Sequence, residues 1–167
     1  MRAILTLSTL CLLTSNALAD VTVSFIEGAP KDRFIISNTG SCPLGVTNVE
    51  IDLSGSAAGL VFDVSATGAG VEVFQPFELA SGGGSVVTQP IVRDGDRTLE
   101  LQLSQFLPEE TISFTIDVDD TASNRQITVS NSEIVGASFT VTTDAGKAVG
   151  TFGQNALAVA NTAGCSS

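Results

Sequence analysis

The stretch Ile112-Ser-Phe-Thr-Ile-Asp-Val-Asp-Asp120 decides the fold. Ile112, Phe114, Ile116 and Val118 alternate with Ser113, Thr115, Asp117 and Asp119. Successive side chains of an extended chain point to opposite faces, so the spacing predicts a strand with one buried apolar face and one acidic solvent face. The pattern repeats on both sides. Val21, Val23 and Phe25 alternate with Thr22 and Ser24, Arg33–Ser37 makes a second strand, and Val49, Ile51 and Leu53 alternate with Glu50 and Asp52. Leu99, Leu101 and Leu103 alternate with Glu100 and Gln102, and Ala137, Phe139 and Val141 with Ser138 and Thr140. Shorter strands are expected at Leu60–Val64, Val71–Phe74, Ile127–Val129, Val149–Phe152 and Ala156–Ala160. Pro76, Gly82-Gly83-Gly84, Pro90 and Asp144-Ala145-Gly146 punctuate them.

No window of a dozen residues carries a helical repeat. The expectation is an all-β chain of about ten to twelve short strands, folded as an antiparallel two-sheet β-sandwich of the immunoglobulin or fibronectin-III-like kind. The immunoglobulin Trp between bridged cysteines is missing, since the chain has no Trp and no Tyr. The Leu107-Pro108 corner before Ile112 resembles the turn that precedes a central fibronectin-III strand.

Residues 1–19 read as an address rather than as fold. Arg2 precedes the apolar run Ala3–Leu13, and Ala17-Leu18-Ala19 has the small-x-small form found before a signal-peptidase cut. Leu10 stands where a lipoprotein needs a small residue before Cys11. No later run is long enough to span a bilayer. The expected product is a single domain, residues 20–167, secreted to the periplasm or beyond.

The net charge is −11, and all 18 acidic residues lie beyond residue 19. Such a chain repels nucleic acid and anionic lipid, which excludes both as partners, and it attracts divalent cations or simply stays soluble. Two cysteines remain after the leader, Cys42 and Cys165, and in an oxidising compartment an isolated pair reads as one disulfide. A bridge closing so long a loop contributes about 4–5 kcal/mol in the chain-entropy description. Two sulfurs in a chain without histidine make a poor zinc site.

Four segments carry a resemblance: Glu27-Gly-Ala-Pro-Lys-Asp-Arg-Phe34, Ile51-Asp-Leu-Ser-Gly-Ser-Ala-Ala-Gly59, Gly70-Val-Glu-Val-Phe-Gln-Pro-Phe77 and Phe114-Thr-Ile-Asp-Val-Asp-Asp120. They resemble small secreted bacterial proteins labelled "aggregation factor core", over about residues 20–130. The resemblance implies cell aggregation or surface adhesion, with calcium as the usual companion. It brings no site residues.

The chemistry sits in aspartates. Asp117, Asp119 and Asp120 end the central strand, and Asp94-Gly95-Asp96 forms a turn before the strand expected to pair with it, Leu99–Leu103. Strands joined through Leu107–Thr111 run antiparallel, so these five carboxylates fall at one end of the sandwich. Calcium takes six to eight oxygens and suits such a cluster. A solvated acidic end explains the same residues. Alternate carboxylates about 7 Å apart repel by only about 0.6 kcal/mol in water and about 2.4 kcal/mol at an effective dielectric of 20. Arg93, Arg97 or Arg125 could also neutralise part of the charge. The spacing is not that of an EF-hand.

Without histidine the chain lacks Ser-His-Asp, Cys-His and histidine-metal chemistry, and the only lysines are Lys31 and Lys147. Paired carboxylates alone do not make a glycosidase, and the Trp and Tyr that usually stack sugars are missing. The expected role is therefore non-catalytic. It is adhesion, aggregation or surface matrix, calcium-dependent if the acidic end closes on an ion. The partner is an extracellular protein or polysaccharide, or a second copy of the chain. The alternative is an extracellular carbohydrate- or ligand-binding module, with Phe74 and Phe77 around Pro76 as an apolar platform.

Overall fold

The computed structural model describes residues 19–66, 74–122 and 129–162. Within them the chain forms twelve strands and no helix. These are β1 (Ala19–Ile26), β2 (Asp32–Asn38), β3 (Thr47–Asp52), β4 (Val61–Phe62), β5 (Glu78–Ser81) and β6 (Val86–Thr88). After them come β7 (Thr98–Leu103), β8 (Thr111–Ile116), β9 (Val118–Asp119), β10 (Ser138–Thr143), β11 (Gly146–Thr151) and β12 (Leu157–Thr162). One five-stranded sheet has the order β12-β1-β2-β8-β5 and the other β11-β10-β3-β7-β6, while β4 and β9 form a separate two-stranded sheet. Every pairing is antiparallel.

The inward residues form one apolar core. Val21, Val23, Phe34, Ile36, Ile112, Phe114 and Ile116 of one sheet face Val49, Ile51, Leu99, Leu101, Leu103, Phe139 and Val141 of the other, all buried. Phe34 stacks on Phe114 at 5.2 Å between ring centroids, and Phe25 meets Phe34 edge-on at the same separation. The two-residue period of β7 produces a strict exposed–buried alternation.

At one side of the sandwich β11 packs directly on β12, joining the sheets. Gly150 makes that approach possible, because a Cβ there would collide with Phe139 and with the Val159 backbone. At the other side the edge strands β5 and β6 are short, and each pairs with its neighbour through a register shift.

Two expectations are corrected. Ile112–Asp120 is not one strand: β8 ends at Ile116, and β9 pairs with β4, matching Val61 to Asp119 and Phe62 to Val118. The break has a local cause. The Asp117 carbonyl accepts from the Asp63 N–H at 3.2 Å, so the chain leaves β2 for the β4 segment at that residue. The Asp32 carboxylate closes the end of β2 instead, accepting from the Gly28 N–H at 3.0 Å and from the Val118 backbone. The supposed acidic solvent face is consequently buried at Asp119. The second correction concerns pairing. β7 bonds to β3 and β6, and β8 to β2 and β5, so the 104–110 connection arches between sheets rather than closing a hairpin.

The sequence also hid β5 and β6, which lie in the Pro- and Gly-punctuated stretch. The expected leader, apart from Ala19, lies outside the described residues, as do Val71–Val73 and Ile127. Val129 is buried without belonging to a strand. Cys42 is buried, its carbonyl accepting from Asn38 Nδ2 at 2.9 Å, while Cys165 lies outside the described residues.

Candidate metal centre

The β4–β9 ribbon carries the carboxylates. Phe62 is fastened on its free side to the Asp94–Asp96 turn: its N–H donates to the Asp96 carbonyl at 2.8 Å, and its carbonyl accepts from Gly95 N–H at 2.9 Å. Gly95 holds φ +84°, a left-handed conformation that favours glycine. Thr121 anchors the far end of β9, its N–H bonding Ala58 O at 3.2 Å and its Oγ1 donating to Gly59 O at 2.8 Å. The two acidic segments therefore meet at one end of the sandwich, around a pocket of about 180 Å³ lined by Asp63, Asp94, Asp119, Asp120, Val61 and Thr121 among others.

Asp63, Asp117 and Asp119 each direct a carboxylate oxygen into one cluster whose atoms lie within 4.8 Å of one another. Asp63 is 4% exposed, Asp119 8%, and Asp117 is half-buried. Asp32 and Asp120, each 2% exposed, stand close by. Burial of this kind disfavours the charged form. It pushes Asp119 up to about 7, with the charge of Asp117 and then contact with Asp63 adding to the effect. Burial first and the charge of Asp63 second raise Asp117 to about 6, against the opposing pull of the Val118 N–H and Lys31. Asp32 rises to about 7, again mainly by burial, with Asp117 adding to it and the bond from Gly28 opposing it. Lys31 is held elsewhere, its Nζ 2.8 Å from Glu78 and 3.0 Å from the Pro76 carbonyl.

This donor set fits a hard divalent cation. Two oxygens each about 2.4 Å from one ion are at most about 4.8 Å apart, the limit the three carboxylates respect. Oδ2 of Asp119, a member of the cluster, is buried and meets no hydrogen-bond donor, which leaves it a desolvated acceptor. Asp117 is braced by Gln75, itself buried: with the amide nitrogen turned to its acceptors it donates to Asp117 Oδ2 at 3.1 Å and to the Pro30 carbonyl.

Of the five carboxylates singled out in the sequence, Asp117 and Asp119 enter the cluster. Asp94 borders the pocket but uses its oxygens on the chain, accepting from Val64 N–H at 2.7 Å, Ser65 N–H at 2.8 Å and the Ser65 hydroxyl. The Ser65 hydroxyl first, then the Val64 N–H, hold its carboxyl below the usual range. Asp96 accepts from Arg93 N–H at 2.8 Å, and Asp120 from Ala122 N–H at 3.1 Å. Both carboxylates close local turns.

Sequence reading missed Asp63 and Asp32. Asp63 is the polar residue between Phe62 and Val64, and its place beside Asp117 depends on the sheet switch. Asp32 lies between Lys31 and Arg33, where an acid reads as neutralised. The platform is divided: Phe74 is 70% exposed, whereas Phe77 is partly buried and packs against the core, its ring 4.9 Å from that of Phe114. Comparison with protein-family models, curated proteins and solved structures finds no match to this chain, so the site is read from its own geometry.

Proposed function

We propose that this protein is a secreted, non-catalytic adhesion or surface-matrix module whose acidic end is completed by calcium. The observation that carries the reading is the convergence of buried Asp63 and Asp119 with half-buried Asp117, their carboxylate oxygens within 4.8 Å of one another. Without an ion, three carboxylates in that space repel one another and resist ionisation. With one, their charge is matched and β4, β9 and the end of β8 are tied to a common centre. Calcium supplies that charge and takes oxygen ligands without demanding rigid octahedral geometry, which suits residues from two separate chain segments.

The resemblance to aggregation factors, the excess of acid and the missing histidine chemistry support the adhesive role. Extracellular calcium at high concentration is the ion such a module meets, and weak sites suffice there. A bridge from buried Cys42 to Cys165 belongs to the same proposal, as a covalent tie on the chain's last segment.

The test is direct. Calcium titrated into chelator-treated protein raises the melting temperature, and beads coated with the protein clump in calcium and disperse in chelator. A melting temperature indifferent to millimolar calcium overturns the ion, and beads that stay dispersed overturn the adhesive role.

A further inference from the structure

We infer that the cation held by Asp63, Asp117 and Asp119 also binds ligand, taking the vicinal hydroxyl pair of a neutral sugar at the pocket bordered by Asp94 and Asp120. The inference rests on the calcium reading above and names the ligand class for that site.

Coordination number gives the first reason. Three carboxylates supply three to six oxygens, whereas calcium takes six to eight. The remaining positions fall to water or to a ligand's oxygens. The cluster is not sealed, since Asp63 and Asp119 both line the pocket of about 180 Å³. Asp94 and Asp120 border it, but their oxygens accept from Val64, Ser65 and Ala122 N–H groups. Both are thus held to the chain and poorly placed to fill the shell, and Asp94, the exposed one of the two, is left to accept a hydrogen bond from a hydroxyl.

Charge decides the kind of oxygen. Three carboxylates outweigh the two charges of a calcium ion, and Asp32, Asp94 and Asp120 add to the surplus nearby. An anionic ligand, such as a uronate, a sulfate or an acidic peptide, is repelled. A neutral diol is not: its oxygens complete the shell while its protons meet carboxylate acceptors. Volume decides the size. The pocket is smaller than the roughly 300–1,000 Å³ of sites that enclose a drug-sized molecule, which limits the guest to about one sugar ring.

One exposed aromatic neighbours a residue that touches the cluster. The Gln75 side chain reaches Asp117, and its N–H bonds the Val64 carbonyl at 3.3 Å. Phe74, the preceding residue, is therefore held at the same end of the sandwich with its ring 70% exposed. An exposed ring there offers a stacking face for the apolar side of a pyranose. Residue 74, half of the platform expected from sequence, regains a role, and Phe77 does not.

The experiment uses the full chain and the methyl glycosides of mannose, galactose, glucose and fucose as probes. Saturation-transfer NMR and calorimetry are run in calcium and in chelator, with the calcium-induced melting shift measured alongside. The expected result is binding of at least one glycoside in calcium, lost in chelator and lost in Asp119→Asn and Asp63→Asn. Both variants are nearly isosteric and are checked for folding by circular dichroism. Phe74→Ala weakens sugar binding about three- to tenfold and leaves the calcium melting shift intact. A calcium melting shift with no glycoside bound overturns the sugar inference and leaves the calcium module standing. Glycoside binding that survives in chelator overturns the ion's part in it. No melting shift and no binding removes both readings.

Discussion

The protein carries its acid in two regions that look alike on paper and differ in physics. On the outer face of one sheet, Glu50 and Glu100 sit directly opposite each other across β3 and β7, both exposed, with Asn48 Nδ2 donating to Glu100. At the end of the sandwich, Asp63, Asp117 and Asp119 crowd together, the first and last buried and Asp117 half-buried. The first pair costs little, because water and salt screen like charges on a surface. In the cluster the medium is less polar, each charge is felt by its neighbours, and protonation or a cation must relieve it. Charge count is the same kind of fact in both places, and burial determines which one has consequences.

The sharpest way to separate the two regions is pH. Asp32 and Asp119 at about 7 and Asp117 at about 6 are all raised above the ordinary carboxylate value of 3.8. A raised folded-state value means that the native protein binds more protons than the unfolded chain between pH 4 and 7. The stabilisation is complete below pH 4 and is lost as pH rises through 6 and 7. Metal-free protein should therefore melt roughly 5–15 °C lower at pH 8 than at pH 5, measured in chelator. A melting temperature that is flat or rises over this range would dissolve the distinction between the two regions.

Calcium should reverse the trend. At a hundredfold excess over the dissociation constant, binding contributes about 2.7 kcal/mol, or roughly 5–10 °C for a chain of this size, and the effect should be larger at pH 8 than at pH 5. Asp119→Asn should remove that response. In chelator at pH 8 it should raise stability by about 1–3 kcal/mol, because the amide keeps the shape without the buried charge. Denaturant titrations with and without calcium check both signs.

Asp94→Ala gives a smaller and opposite result. It removes the acceptor for Val64 and Ser65 N–H and should cost about 0.5–2 kcal/mol, as loss of a cap does, while calcium still raises the melting temperature. Glu100→Gln on the outer face should change stability by no more than about 0.5 kcal/mol in either direction, with no effect on the calcium response.

What the sequence disclosed follows from period and polarity. The two-residue alternation of Leu99–Leu103 or Val49–Leu53 can be satisfied only by a half-buried strand, so the two-layer all-β plan was legible. The meeting of the Asp94 turn with Asp117–Asp120 was legible too, though through pairing that proved wrong. An arch between sheets returns the chain to the same end as a hairpin would, so direction survived where partnership did not. Asp117 looked like one more outward residue of a regular strand. Nothing local announces that its carbonyl takes the Asp63 N–H and turns the chain away, since that depends on a partner 54 positions earlier. Asp63 was hidden for the same reason. Short edge strands such as Val86–Thr88 carry too few residues to show a period at all.

The placement of β1 governs the order in which the molecule can be completed. β1 lies between β2 and β12, with Val21 opposite both Asn38 and Ala160. Half of its backbone partners arrive about 140 residues after it in the chain. Cotranslational folding can therefore reach only a partial sheet with one ladder unmet, and the final zipper forms last. Separations of that length make for slow, non-local assembly. A version ending before Leu157 would leave a bare strand edge open to neighbouring molecules.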